Sequence, residues 1–173
     1  GSEELYQPKH DRFMERAKRM GHDIGSFSEG PESTHFRGFD RTAINSGWLS
    51  ETCDGAPAAP LMGEFNDWDG GYTSLSFNPF STLLMTNDFA TAFRFSPMDV
   101  NKTNVEITWF VDSNAQEGKN FDKNKMVWLW DVTTIADKKI IEDNQAGVRS
   151  RRYEPGPYSD HEHGTQELVN WYL

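Results

Sequence analysis

The sequence predicts an α+β domain in which helices gather on one face of an antiparallel sheet. Three observations carry that expectation. The chain opens on a charged amphipathic segment, its middle holds several short runs with period-two apolar spacing, and a long helical segment follows them. At 173 residues there is room for one domain with a real core and not for two ordinary ones.

In chain order, Gln7 to Met20, "QPKHDRFMERAKRM", sets Phe13, Met14, Ala17 and Met20 among charged residues and meets Gly21, as an amphipathic surface helix would. From Gly25 to Gly71 the chain is rich in Gly, Ser, Pro and Asp. One strand candidate, "THFRGFDR", interrupts it before a long irregular connection through "DGAPAAPLMGEFNDWDGG". Connections of that length are usually functional or covering segments. "YTSLSFN" (72–78), "STLLMTNDFATAFRFSP" (81–97, two strands turning at Asn87-Asp88) and "NVEITWFVD" (104–112) are spaced like a meander. Alternation puts Phe89, Thr91, Phe93 and Phe95 on one face, and Val105, Ile107, Trp109 and Val111 on one face of the next strand. A helix is expected from about Asp122 to Ala146, stopped by Gly147. After a Pro-broken connection, Ser159 and Glu162 form an S-x-x-E box before a final helix that runs to Leu173.

Composition narrows the function classes. Hydrophobic residues are 36%, aromatic 13% and charged 25%, a globular profile, and the net charge is -10. That balance disfavours nucleic acid and anionic membranes as partners. No apolar run is long enough for a membrane helix, and the start has no signal-peptide pattern. A single cysteine, Cys53, excludes an internal disulfide framework and fits a reducing cytoplasm. The Gly-Ser start without an initiator Met leads us to expect a piece of a longer protein.

The long helix carries the sharpest chemical question. Glu142 and Asp143 each have a lysine four residues before them, so a solvated face accounts for both. Asp137 has instead Trp130, Thr133, Thr134, Ile140, Ile141 and Asn144 as its helical neighbours, a mostly apolar stripe with no cation. A carboxylate there is costly unless paired, hydrogen-bonded or metal-bound. Two readings stand open: a buried Asp satisfied by loop amides or by Arg94, or a metal ligand at the mouth of a cavity. The five histidines add no partner by spacing. His161 and His163 point to different sides of a helix, His10 and His22 bracket the first helix, and His35 stands alone before a strand. No nucleophile elbow, Walker loop or dinucleotide fingerprint occurs, and Cys53 has no neighbouring His in sequence.

The stretch "WLWDVTTIADKKIIEDNQAGVRSRRYEPGPYSDHEHGTQELVNWYL", with "APLMGEFNDWDGG", "FRFSP" and "ITWFVDSNAQEGKNFD" upstream, resembles the C-terminal part of Rieske-type non-haem iron ring-hydroxylating oxygenase α subunits. The resemblance is closest to the glycine betaine and quaternary-amine demethylase branch. It implies a helix-grip (START-like) fold, an antiparallel sheet packed on the long C-terminal helix and incomplete at its N-terminus. Residues 1–173 would be the C-terminal part of the catalytic domain, without the Rieske domain and the His-ligand segment. It also implies a mononuclear Fe(II) held by two His and one carboxylate, with Asp137 at the carboxylate position, and a Rieske [2Fe-2S] cluster. The implied partners are a small-molecule substrate, a ferredoxin or flavin reductase, and further copies in a homo-oligomer (trimer). The implied reaction is O2- and NAD(P)H-dependent hydroxylation of an N-methyl carbon, whose product collapses to formaldehyde and the demethylated amine. Because neither the His pair nor a Cys/His cluster is present, this chain by itself is expected to be inactive. Phe93, Phe95 and Trp109 are either ordinary core or cation-π partners for an ammonium. An aromatic-ring-hydroxylating dioxygenase and a non-catalytic helix-grip ligand-binding module are the alternatives.

Overall fold

The computed structural model describes residues 2–29, 37–45, 47–77 and 80–173. Helix α1 spans Ser2–Met20, longer at its start than expected. It ends as predicted: Gly21 takes a left-handed φ of 75°, its N–H donates to the Lys18 carbonyl at 3.1 Å, and the His22 N–H donates to Ala17 at 2.9 Å. This paired closure needs a residue without a Cβ penalty at the turn.

Six strands follow: β1 Ser26–Glu29, β2 Arg37–Ala43, β3 Gly71–Phe77, β4 Ser81–Met85, β5 Phe89–Asp99 and β6 Lys102–Val111. They form one antiparallel sheet whose spatial order is their chain order, the predicted meander. The β4–β5 turn falls at Asn87-Asp88 as expected. β1 is an addition: "SFSE" looks like loop because serine weakens its apolar alternation, yet it pairs with β2 from Ser26↔Asp40 to Glu29↔Arg37. The first residues of the "THFRGFDR" candidate, and His35 with them, lie outside the described residues.

Residues directly opposite in antiparallel pairs share a face. The register Thr42↔Tyr72, Asp40↔Ser74, Ser74↔Leu84, Leu84↔Thr91, Phe93↔Ile107 and Thr91↔Trp109 therefore defines one continuous surface. It is hydroxyl-rich toward β1 and apolar toward β6.

Helix α2, Lys123–Val148, lies over the apolar end of that face. Asp122 caps it, accepting from the N–H groups of Asn124 and Lys125 at 3.0 and 3.2 Å. Met126 is buried with Ala58 and Phe89, flanked by Met62, Trp109, Val111, Phe121 and Val127. One turn on, Trp130 meets Phe93 edge to face, with ring centroids 4.9 Å apart. Beyond Trp130 the helix stands clear of the sheet. Its end corrects the expectation: Gly147 lies inside the helix, and the Arg149 N–H closes the last turn on Gln145 at 3.3 Å.

Helix α3, His163–Tyr172, begins after the predicted box. Half of that box forms, because the Glu162 carboxylate accepts from the Ser159 N–H at 2.7 Å. The helix starts only beyond Glu162, so His161 lies in the preceding turn.

Candidate ligand-binding face

The hydroxyl-rich end of the sheet is open. Ser26, Ser28, Asp40, Ser74 and Ser76 help to line a groove of about 430 Å³ there. Tyr72, on the same sheet face as Ser74, and Glu51, from the 44–70 connection, are half-buried and do not line the groove. Burial, more than anything else, holds the Glu51 carboxyl above the ordinary value of 4.5; the Trp130 indole N–H beside it pulls the other way, and the charge of Asp88 pushes it further up. The indole makes no hydrogen bond of good geometry, so its nitrogen stays buried and unsatisfied. The Tyr72 hydroxyl is likewise pushed above its ordinary value by burial, then by Glu51, Tyr6 and Asp40. These four side chains therefore share one neighbourhood, although α1, β2, β3 and a loop supply them. No described Lys or Arg forms an ion pair with Glu51 or Asp40.

Behind Glu51 the connection is pinned by Asp88, which is fully buried. Its carboxylate accepts from the Ser50 hydroxyl at 2.7 Å, the Thr86 hydroxyl at 2.8 Å and the Ala58 N–H at 2.8 Å. Three donors without a cation satisfy this buried charge. The residue before it, Asn87, links to a second buried network on the opposite face of the sheet. With its amide nitrogen toward Asp69, Asn87 donates to that carboxylate at 2.9 Å and accepts from Arg41 at 3.2 Å. Arg41 also grips Asp69 at 2.6 Å and donates to the Thr73 hydroxyl at 3.0 Å. His22 contacts Asp69 at 2.9 Å, and the Arg41 guanidinium lies 4.9 Å from the centre of the Phe65 ring. Burial alone would raise the Asp69 pKa; the bonds and charge of Arg41, with His22 and the Gly71 N–H, outweigh it and leave it below 3.8. Every part of this second network has a partner, so it holds the fold and leaves nothing free for a ligand.

The residues singled out from sequence are placed as follows. Asp137 is exposed, which corrects the expectation of an inward-facing carboxylate. The cause is the course of α2: Ile140 and Ile141 on the same stripe are each 65% exposed. The stripe exists, but no described residue covers it. Arg94 does not reach Asp137, because it pairs with Glu106 at 2.6 Å on the surface. The solvated-face reading of the other acids holds, with Lys138–Glu142 at 3.9 Å and Lys139–Asp143 at 2.6 Å. Phe93 and Trp109 pack in the interior under α2, as ordinary core does, and Cys53 is an exposed free thiol. His163 is exposed and His22 is engaged with Asp69.

Comparison with known proteins settles the family. The family described as "Ring hydroxylating alpha subunit (catalytic domain)" matches residues 5–173. The chain belongs to that family. Among relatives of this ring-hydroxylating α subunit is the glycine betaine monooxygenase oxygenase subunit of Chromohalobacter salexigens, 39% identical over 134 residues, which are 76% of this chain and 30% of the relative. The protein of the same name from Pseudomonas aeruginosa is 32% identical over 134 residues, 76% of this chain and 31% of the relative. The chain thus spans under a third of the length of the curated relatives it matches. The sheet-and-helix arrangement is consistent with the helix-grip catalytic domain of ring-hydroxylating oxygenases. The family implies non-haem iron and a Rieske [2Fe-2S] cluster in the α subunit, a small-molecule substrate and electron-transfer partners. Among the described residues, however, no three His, Cys, Asp or Glu side chains come together as a metal site. These residues therefore do not by themselves fit an iron centre. No described helix is long and apolar enough to cross a membrane.

Sequence reasoning missed Glu51, Tyr72 and Asp88. In "SETCDG" Glu51 sits in a loop without periodicity, and in "TNDF" Asp88 reads as an ordinary turn residue. The available signal was the strand alternation that puts Tyr72 on the same face as Thr91.

Proposed function

We propose that this chain is the C-terminal part of the catalytic domain of an oxygenase that uses O2 and NAD(P)H to remove a methyl group from a small quaternary amine such as glycine betaine. The observation that carries the proposal is the match over residues 5–173 together with relatives named for that activity. The site agrees in sign: Asp40 on the open face and the half-buried Glu51 in the 44–70 connection supply negative charge, and Arg37 at the groove is paired with Glu29. In this reading Asp137 supplies the carboxylate of an iron site whose other ligands lie outside the described residues. The cluster, the reductase, a trimeric assembly and a cytoplasmic location belong to the same proposal.

The test uses the complete subunit with its reductase. Glycine betaine should yield formaldehyde and dimethylglycine with matching NAD(P)H consumption. Asp137→Ala should abolish formaldehyde while the visible spectrum of the Rieske cluster is unchanged. Full turnover by that variant would remove Asp137 from the iron site, and no turnover of any quaternary amine by the parent would overturn the reading.

A further inference from the structure

Glu51 is an acid without a cation. It is half-buried, no described Lys or Arg pairs with it, and it stands beside the Trp130 indole and near Tyr72. The charge that acts on it is another carboxylate, Asp88, already bonded by Ser50, Thr86 and Ala58. Three buried polar atoms between this face and α2 are also unsatisfied, the indole nitrogens of Trp130 and Trp109 and the Thr91 hydroxyl. A fold that hydrogen-bonds Asp69 and Asp88 so completely has left this one carboxylate uncompensated. Such a charge is retained against its desolvation cost when something cationic completes it.

Resting on the proposed function, we infer that Glu51 is the specificity-determining counter-charge of the substrate's quaternary ammonium group, acting with the ring faces of Trp130 and Tyr72. A quaternary ammonium has no N–H to donate, so hydrogen-bond acceptors alone cannot select it. What selects it is negative charge at the edge of an apolar, aromatic wall. The 44–70 connection sets Glu51 at that edge because Ser50, immediately before it, is tied to Asp88. The carboxylate is thus held in place by its neighbour in sequence, with the Trp130 indole N–H beside it and no cation among the described residues. Occupation by a cation would act on the Glu51 pKa in the direction opposite to burial, lowering it.

The experiment compares glycine betaine with 3,3-dimethylbutyrate, its neutral-headed carbon isostere, by calorimetric binding to the complete subunit. The parent should prefer the ammonium compound by about tenfold or more, the scale of one partly desolvated charge contact with aromatic support. Glu51→Gln, which keeps shape and removes charge, should lose most of that preference by weakening betaine binding alone, raising KM with little change in kcat. Glu51→Asp should keep much of it. Melting at neutral pH should show Glu51→Gln folded and at least as stable as the parent, because a buried charge has been removed. An unchanged preference in Glu51→Gln, or equal loss of both ligands, overturns the inference. Those results leave formaldehyde production by the parent intact, so they are distinct from failure of the proposed function.

Discussion

Single carboxylates in this protein have separate fates set by what reaches them. Asp54 is exposed, yet the Ala56 N–H first and then Lys125 hold it down to about 2. Asp69 is deeply buried and still lowered, because Arg41, His22 and a backbone amide outweigh its desolvation. A lowered folded-state pKa contributes stability that is complete above the ordinary value and is lost as pH falls through the folded value. Asp69→Asn should therefore cost about 3–5 kcal/mol at neutral pH, since it strands the buried Arg41 charge. The variant should also show a flatter loss of stability than the parent as pH drops below 3.8. Urea midpoints across that range measure both, and parallel acid limbs would show that Asp69 is not the group that titrates. This network was not legible from sequence. Arg41 and Asp69 stand far apart in the chain, and neither "FDRTA" nor "DWDGG" carries a periodicity that announces a partner.

At the scale of elements, α1 docks through Phe13, which is buried, against Gly71 at the start of β3. A Cβ at Gly71 would collide with the Phe13 ring, so the close approach of helix and strand depends on glycine there. Gly71→Ala should destabilise by about 1–3 kcal/mol, the usual cost of overfilling a packed site. Combining it with Phe13→Leu should recover part of the loss; thermal melting of the two variants checks this. The elements themselves were largely readable. Alternating Phe and Thr in β5 and the Gly21 stop are local signals used where expected, and the start of α2 falls at Asp122 as expected. β1 escaped because four residues with two serines give no pattern until β2 pairs with them. Asp137 was misplaced for a different reason: helical spacing identifies an apolar stripe but not whether anything covers it. On α2 cover stops after Trp130.

The whole molecule accordingly presents an unusual surface. Val132, Ile135, Ile140 and Ile141 are 51–67% exposed along one helix. Branched aliphatic side chains left this exposed on one helix favour association. The polypeptide of 173 residues should self-associate as its concentration rises, and Ile140→Glu with Ile141→Glu should return it toward monomer without lowering its melting temperature. Sedimentation velocity over a concentration series decides this; a strictly monomeric parent would mean the surface is tolerated.

The strand order carries a consequence for how the fold is reached. Each strand pairs with its neighbour in the chain, so most of the sheet can form by successive hairpins. A growing chain can add one hairpin arm at a time. The exception is the 44–70 connection, whose closure brings Ser50 and Ala58 to Asp88 and Asp69 to Arg41. Bringing those groups together costs loop entropy before any contact rewards it. The segment that carries Glu51 should thus order late, after β2 through β5 have met, as the last part laid on a sheet that is already standing.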